Sequence, residues 1–569
     1  MCGIAGIIGN FTEHQLDDML ASQHHRGPDA TGKYKDDNFA ALGHNRLAII
    51  DLSPKSNQPF VDNSGLYTIV FNGEIYNYIE LKTELQNQYA FKTESDTEVL
   101  LAAYIVYGKL CLEKLNGMFA FAIWDNHEKK LFAARDRFGV KPFYYSIKNQ
   151  SLYFSSEIKA LHAAGISKIP NEKVWASYFA YGSYGMPDET FWEGIAQLPG
   201  GHFLEYENQH LTLQKWYCFE KEVTKQAKNL TFEQAKELYV ALLKDSIKLR
   251  FRADVPVGFN VSGGLDSSVL LALVNLQEDN SKINAYTFYT DNSDYDELHW
   301  VEQMIAKTHN HVNKVLLQAK EVPALAEKMA FQQDEPYGGI PTLAYAKIFE
   351  QARKDKVLVV LDGQGMDEQW AGYDYYTQEN EATIQGVPDS PFKTNVLSAS
   401  FLAKAEKPVY PMPFEDAVLN KQYRDLFYTK IPRALRFNDR VSMAFSIELR
   451  EPFLDYRLVE LAFSLPLDFK IRDGVSKFML REIASEYLAT DMVFAPKRAL
   501  QTPQREWLAE ELKEWVSQCF IEIEHSSFSN WFNIQELHKE LQLYFDGSQQ
   551  SSFHIWQNIS MYEVINNMK

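Results

Sequence analysis

The 569-residue chain has only four cysteines, Cys2, Cys111, Cys218 and Cys519. They are scattered with no CxxC spacing, which excludes a disulfide framework and a cysteine zinc cluster. It is also poor in basic charge. Subtracting 76 acidic from 57 basic residues leaves −19, so a general nucleic-acid binder with a basic face is excluded. No run of about 18 apolar residues is present, which removes a membrane-spanning helix, and the first residues lack the charged-then-apolar layout of a signal peptide. The expectation is a soluble, cytoplasmic protein without nucleic-acid or membrane partners. There is no long polar or repetitive tract to leave disordered, and 46% apolar with 23% charged residues is ordinary globular composition. At roughly 150 residues per domain this length predicts more than one core.

Two textures divide the chain. Up to about residue 205, short β-rich runs (CGIAGIIG, AALGHNRLAII, YTIVFNGEIYN, MFAFAIWD, KLFAARD, LYFSS) alternate with turns, predicting layered β structure with a few helices. One helix is plain, Asp96 to Tyr107, capped by Ser95 or Asp96. From residue 231 long helical patterns alternate with buried apolar strands (VGFNV, INAYTFYT, KVLVVLD), predicting a parallel sheet wound with helices. The polar stretch 206–230 is expected to be a linker. The domain expectation is therefore 1–205, linker 206–230, and 231–569.

The chain begins Met-Cys-Gly. Removal of Met1 would place a thiol and a free α-amine on Cys2, and the neutral amine is then a base for the nucleophile beside it. A lone cysteine at position 2 also reads as a small core residue. Its company matters more: HHRGPD (24–29), HNRLAIID (44–51), FNGEIYN (71–77) and SDTEV (95–99) place polar groups within apolar text, and buried polar groups need partners. With MCGIAGI these motifs resemble the class II glutamine amidotransferase domain over residues 1 to about 200. The resemblance implies an αββα N-terminal-nucleophile fold in which Cys2 attacks the glutamine amide. It also implies an oxyanion hole from Asn72 and the Gly73 N–H, and a glutamine pocket including Arg46, Leu47, Glu74 and Asp96. RDRFGVKPFYY (135–145) and SSEIKAL (155–161) also match and read as structural or interface segments.

In VGFNVSGGLDSSVLLALV (257–274) an apolar strand runs through a glycine pair into an apolar helix, offering free N–H groups to an anion. The loop lacks the GxxxxGK[ST] pattern. SGGLDSS resembles the loop of enzymes that split ATP into AMP and pyrophosphate. Together with DEPYGGIPT (334–342), VLDGQGMDEQWAGYDYY (360–376), NDRVSMAFSIELREPFLD (438–455) and SKFMLRE (476–482), it resembles the synthetase domain of glutamine-dependent asparagine synthetases. That resemblance implies an acyl-adenylate mechanism with aspartate as default acceptor, a glutamine-hydrolysing carbon-nitrogen ligase. ATP would meet Val261, Ser262, Gly263, Gly264, Asp266, Ser267, Phe288, Asp362 and Gly363. Asp266 and Asp367 would hold Mg²⁺, and Lys477 would steady charge on the α-phosphate. Arg440, Arg450 and Asp455 read at least as readily as a salt-bridge network.

Two departures from the family pattern stand out. Where an acid is expected the chain has Gln364, with an acid instead at Asp362, and Gln501 replaces part of a Gly-Phe pair. An amide has no basic form near neutral pH, so a proton-accepting role would pass to Asp362, or the acceptor is another carboxylate, such as a sugar acid. A retired relative serving as a binding module is the reading from another class, opposed by the intact Cys2 and SGGLDSS. A homodimer is the base-rate expectation.

Overall fold

The computed structural model describes residues 2–567 apart from 38, 227–228, 277–282, 296, 379–389, 496–500 and 549–550. Met1 and the first part of PKRALQTP lie outside the described residues; Gln501 lies within them. The amino-terminal strands are β1 (Gly3–Ile8), β2 (Ala30–Asp36), β3 (Ala40–Arg46), β4 (Phe60–Val61), β5 (Tyr67–Ile75), β6 (Gly117–Asp125), β7 (Lys130–Arg135), β8 (Tyr144–Lys148), β9 (Ser151–Ser155), β10 (Ala196–Gln197), β11 (His202–Glu207) and β12 (His210–Lys215). They form two antiparallel sheets of six, ordered β10-β8-β9-β1-β3-β2 and β12-β11-β7-β6-β5-β4.

Strand alternation explains the layering. Ile4 and Ile8 of β1 point between the sheets, where they meet Leu42, Val70, Ala122 and Leu204. Ala5 and Ile7 point the other way, into a core with Leu16, Met19 and Leu20 of the helix Glu13–Ser22. On the second sheet Ile69, Phe71 and Ile75 meet Val99, Leu100 and Ala103 of the helix Asp96–Tyr107. Inner strands buried on both faces read as continuous apolar runs, and the result is the expected αββα sandwich. Ser95 is the cap of that helix, its side chain accepting from Thr97 N.

The 206–230 stretch differs from a linker. Asn208 and Gln209 both take positive φ, 50° and 64°, the two-residue turn that joins twisted hairpin strands. The strand β12 then pairs with β11 along its whole length. Its polar composition reflects an exposed sheet edge rather than a free connection. The helix Phe219–Gln226 follows, with Phe219 and Val223 buried and the Phe219 ring 4.9 Å from Phe463.

The carboxy-terminal part is built on β13 (Val257–Asn260), β14 (Asn284–Thr290), β15 (His311–Leu317), β16 (Val359–Leu361) and β17 (Glu448–Arg450), ordered β15-β14-β13-β16-β17 and parallel throughout. Phe259, Ala285, Val359 and Leu361 face one apolar core, whereas Tyr286, Phe288, Val360 and Leu449 face the other. Helices thus cover both sides of the sheet. The chain reverses direction across it between β13 and β16, where open α/β sheets bind ligands at the carboxyl ends of strands. No helix among the described residues is long and apolar enough to cross a membrane.

Buried charge joins the two parts. Arg26 reaches Asp439 with two bonds of 2.9 and 3.1 Å and Glu157 at 2.9 Å. Arg440 lies 3.0 Å from Glu157, Asp455 accepts from Asn116 and Arg250 at 3.1 Å, and Lys141 Nζ donates to Leu449 O at 3.4 Å. The RDRFGVKPFYY and SSEIKAL segments are interface, and Arg440 and Asp455 belong to the ion network that holds it.

Candidate functional site

Cys2 immediately precedes β1 and is buried. Its N–H donates to Asn72 Oδ1 at 3.0 Å, and its Sγ lies 3.9 Å from Leu47 O. Burial pushes the thiol up, with Arg46 opposing. Because the Asn72 carbonyl is occupied by Cys2, the amide is oriented, and its Nδ2 is left buried with no hydrogen-bond partner. A donor fixed beside a thiol and aimed at nothing is what a developing oxyanion requires. Gly73 follows on β5, where a Cβ would come 2.1 Å from Met118 O; only glycine permits that approach to β6.

The other residues expected to form a glutamine pocket lie on the adjoining segments. Arg46 donates to Ser53 O at 2.9 Å and Asn57 Oδ1 at 2.8 Å, so it also fixes the 50–57 loop. Burial pushes Asp96 up to about 6, against the N–H groups of Ile75 and Thr97. Glu74 is raised well above the usual carboxylate range by burial, with Glu448 and Asp96 adding. Its Oε1 lies 3.6 Å from Arg450, which is held by Glu448 at 2.6 Å. Strand β17 therefore brings a cation and an acid from the other domain to the edge of the cysteine site.

The second site forms where β13 and β16 end. After Asn260 the chain passes Val261, Ser262, Gly263 and Gly264 into the helix Leu265–Asn275, with Gly264 as cap. Ser262 Oγ accepts from Gly264 N at 3.3 Å, and Ser267 Oγ returns to Ser262 O at 2.7 Å. Opposite the helix start lies Gly363, whose Cβ would meet Ser267 N at 3.6 Å and Asp266 at 3.8 Å. The missing side chain keeps this cradle open for an anion. Lys477 is buried at its floor, with Nζ 2.6 Å from Asp266 and 2.6 Å from Asp367. Burial lowers the Lys477 pKa, but the two carboxylates outweigh it and the ammonium is retained. Asp266 and Asp367 are hard carboxylates of the kind Mg²⁺ takes one or two of, with the remainder from phosphate and water, and here both hold the Lys477 ammonium. Val261, Ser262 and Phe288 line a narrow neighbouring crevice with Asn260, Tyr345 and Gln501.

Asp362 lies beyond β16, buried, with Oδ1 accepting from Gly363 N at 2.6 Å. The sequence reading missed three residues here. Glu448 and Glu451 lie at the start and just past the end of β17, a strand too short and polar to signal itself. Gly372 is the third: a Cβ there would meet Asp367 Oδ1 at 2.1 Å and Lys477 Cε at 2.3 Å. Only its WAGY context could have flagged it. Gly372→Ala is expected to displace the lysine by close to an ångström and lower ATP-dependent pyrophosphate release by ~10²-fold. Glutamine hydrolysis should remain intact, and both rates can be measured on the same preparation.

Residues 1–217 match the glutamine amidotransferase domain family and residues 239–565 the asparagine synthase family. The chain is 30% identical to asparagine synthetase [glutamine-hydrolyzing] 3 of Bacillus subtilis, over 91% of this chain and 89% of that one. It is 35% identical to a putative asparagine synthetase of Methanocaldococcus jannaschii, over 66% and 76%. Amidase chry2 of Gibberella zeae is 27% identical over 94% of each chain. With the amidotransferase sandwich and the nucleotide-type cradle on one polypeptide, the chain belongs to the asparagine synthase family and is a glutamine-dependent ligase that uses ATP.

Proposed function

We propose that the protein is an asparagine synthetase in which glutamine hydrolysis at Cys2 releases ammonia for an acyl-adenylate made from ATP and aspartate, giving asparagine, glutamate, AMP and pyrophosphate. The observation that carries this reading is the convergence of Lys477, Asp266 and Asp367 under the Ser262–Gly264 loop, on the same chain as Cys2 and its unpartnered Asn72 amide.

In the glutaminase half, the α-amine exposed by Met1 removal takes the Cys2 thiol proton as sulfur attacks the amide carbon. Asn72 Nδ2 and the Gly73 N–H stabilise the oxyanion. Arg46, Glu74 and Asp96 orient the α-carboxylate and α-ammonium, with Leu47 shaping the wall. In the synthetase half, Val261 and Phe288 border the nucleotide. Ser262, Gly263, Gly264, Ser267 and Gly363 face its phosphates. Lys477 offsets charge on the α-phosphate as the acceptor carboxylate attacks and pyrophosphate leaves. Asp266 and Asp367 would hold Mg²⁺, which when bound neutralises phosphate oxygens. Asp362, two residues before Gln364, is an acid that can take the proton-accepting role.

A second reading, a carboxamide formed on another acid such as a sugar acid, is favoured by Gln364 and by Gln501, which lines the crevice beside Asn260. The amidase among the relatives supports keeping it. The deciding experiment is a screen of carboxylates for stimulation of pyrophosphate release from ATP. Aspartate as the strongest stimulant, with asparagine formed, supports the first reading; stimulation by a different acid alone replaces it with the second.

A further inference from the structure

Asp362 and Glu451 leave the carboxyl ends of neighbouring parallel strands side by side. Leu361 of β16 is in register with Arg450 of β17, and Asp362 N donates to Arg450 O at 3.0 Å. The next residue on each strand is therefore an acid. Both side chains are buried, at 5% and 4% exposure. Asp362 Oδ2 and Glu451 Oε2 have no hydrogen-bond partner at ordinary distance, although the Asn260 and Gln364 side chains lie against Asp362 and the Gln364 N–H against Glu451, so each buried carboxyl keeps an oxygen that is not fully satisfied. Burial pushes Asp362 up to about 6, against the Gly363 N–H and the Asn260 and Gln364 side chains. It pushes Glu451 well above the usual range, with Asp362 adding and Lys141 and Arg250 opposing. Charge on Asp362 makes Glu451 harder to ionise, so the titration of one acid depends on the other.

Their surroundings point to a ligand. Glu451 lines a narrow crevice between the domains, bounded by Asn116, Met118, Arg137 and Val140 on the glutaminase side. Asp362 faces Asn260, which lines the nucleotide-side crevice. The pair thus stands between a space open to the glutaminase domain and the site where ATP would be bound.

Building on the acyl-adenylate reading, we propose that Asp362 and Glu451 act together as the acceptor of the proton released when ammonia attacks the activated acyl group, the task the Gln364 amide cannot perform. The nitrogen lone pair forms the new C–N bond while the carbonyl π pair moves to oxygen. The ammonium of the adduct gives one proton to the ionised member of the pair. The oxygen pair then returns, the bond from the acyl carbon to the AMP oxygen breaks, and AMP leaves with that electron pair. The sum is acyl-AMP and ammonia giving carboxamide and AMP, with one proton passed to the pair and on to solvent.

The test uses the full chain, ammonium as nitrogen donor and the acceptor found by the carboxylate screen, with Glu451→Gln, Asp362→Asn and the double variant. Each single change is expected to lower carboxamide formation by ~10²–10³-fold. The double variant should be no worse than the worse single one, because groups acting as a unit are not additive. In Glu451→Gln, acceptor-dependent exchange of pyrophosphate into ATP should change little, since adenylation precedes the proton transfer. Hydroxylamine, largely unprotonated at neutral pH and a more acidic adduct, should be used by Glu451→Gln with a smaller loss. Unchanged carboxamide formation in Glu451→Gln, or exchange lost in parallel with it, overturns the proposal. A wild-type chain showing no exchange with any carboxylate rejects the acyl-adenylate reading and the pair with it, and is distinguished by appearing before any substitution is made.

Discussion

Cys2→Ala is expected to abolish glutamine hydrolysis, by on the order of 10³-fold or more, as losing a nucleophile does elsewhere, while ammonium-dependent synthesis continues. The reasoning is geometric. Sulfur, the amine that serves as its base, and the Asn72 contact at 3.0 Å all belong to residue 2, so no neighbouring side chain can substitute. His44, the nearest apparent alternative, has its Nε2 at 3.1 Å from Phe71 O and is pushed down to about 3 by burial; it stays neutral and turned toward the backbone. The two activities should separate in paired assays of glutamate release and ammonium-driven pyrophosphate release. A variant that still hydrolyses glutamine contradicts the assignment. An amino-terminal tag that blocks Met1 removal should mimic the substitution, because a tagged Cys2 has no free α-amine.

Lys477→Ala is expected to lower pyrophosphate release by ~10²–10³-fold, the scale on which loss of one preorganised charge-stabilising group is felt, with glutamine hydrolysis unaffected. The lysine is held from both sides. Its backbone takes φ of 57°, in the left-handed region, its N–H donates to Trp370 O at 3.2 Å, and its ammonium is 2.6 Å from each of two carboxylates. Removing it takes away the positive charge that lies between Asp266 and Asp367. Asp367→Asn should show a smaller loss that grows when Mg²⁺ is limiting. Measuring pyrophosphate against Mg²⁺ concentration for both variants separates the two roles. Equal rates in wild type and Lys477→Ala would remove the lysine from the chemistry.

What the sequence made legible follows from how locally each feature is encoded. SGGLDSS sits between an apolar strand and an apolar helix, so its loop, the Gly264 cap and the cradle were readable from consecutive residues. Cys2, Asn72 and Gly73 were likewise marked by short motifs, although their contact at 3.0 Å spans 70 positions. The strand β17 was not readable: three residues, Glu448–Arg450, owe their strand to pairing with β16 rather than to any alternating pattern. Glu451 therefore went unnoticed beside Asp362, since their proximity exists only in register. Gly372 was hidden for a related reason, because the atoms it must avoid belong to Asp367 and Lys477 and only the fold brings them there. The 206–230 stretch misled because an exposed edge strand is polar on one face, as a linker is.

The central claim is that nitrogen leaves glutamine at one site and joins an adenylated acid at the other. It is tested most directly with glutamine carrying heavy nitrogen in its side-chain amide, together with ATP, Mg²⁺ and the stimulating carboxylate. Mass analysis should find the label in the new carboxamide, with AMP and pyrophosphate formed in equal amounts. Label confined to free ammonium, or ADP and inorganic phosphate in place of AMP and pyrophosphate, would contradict the account.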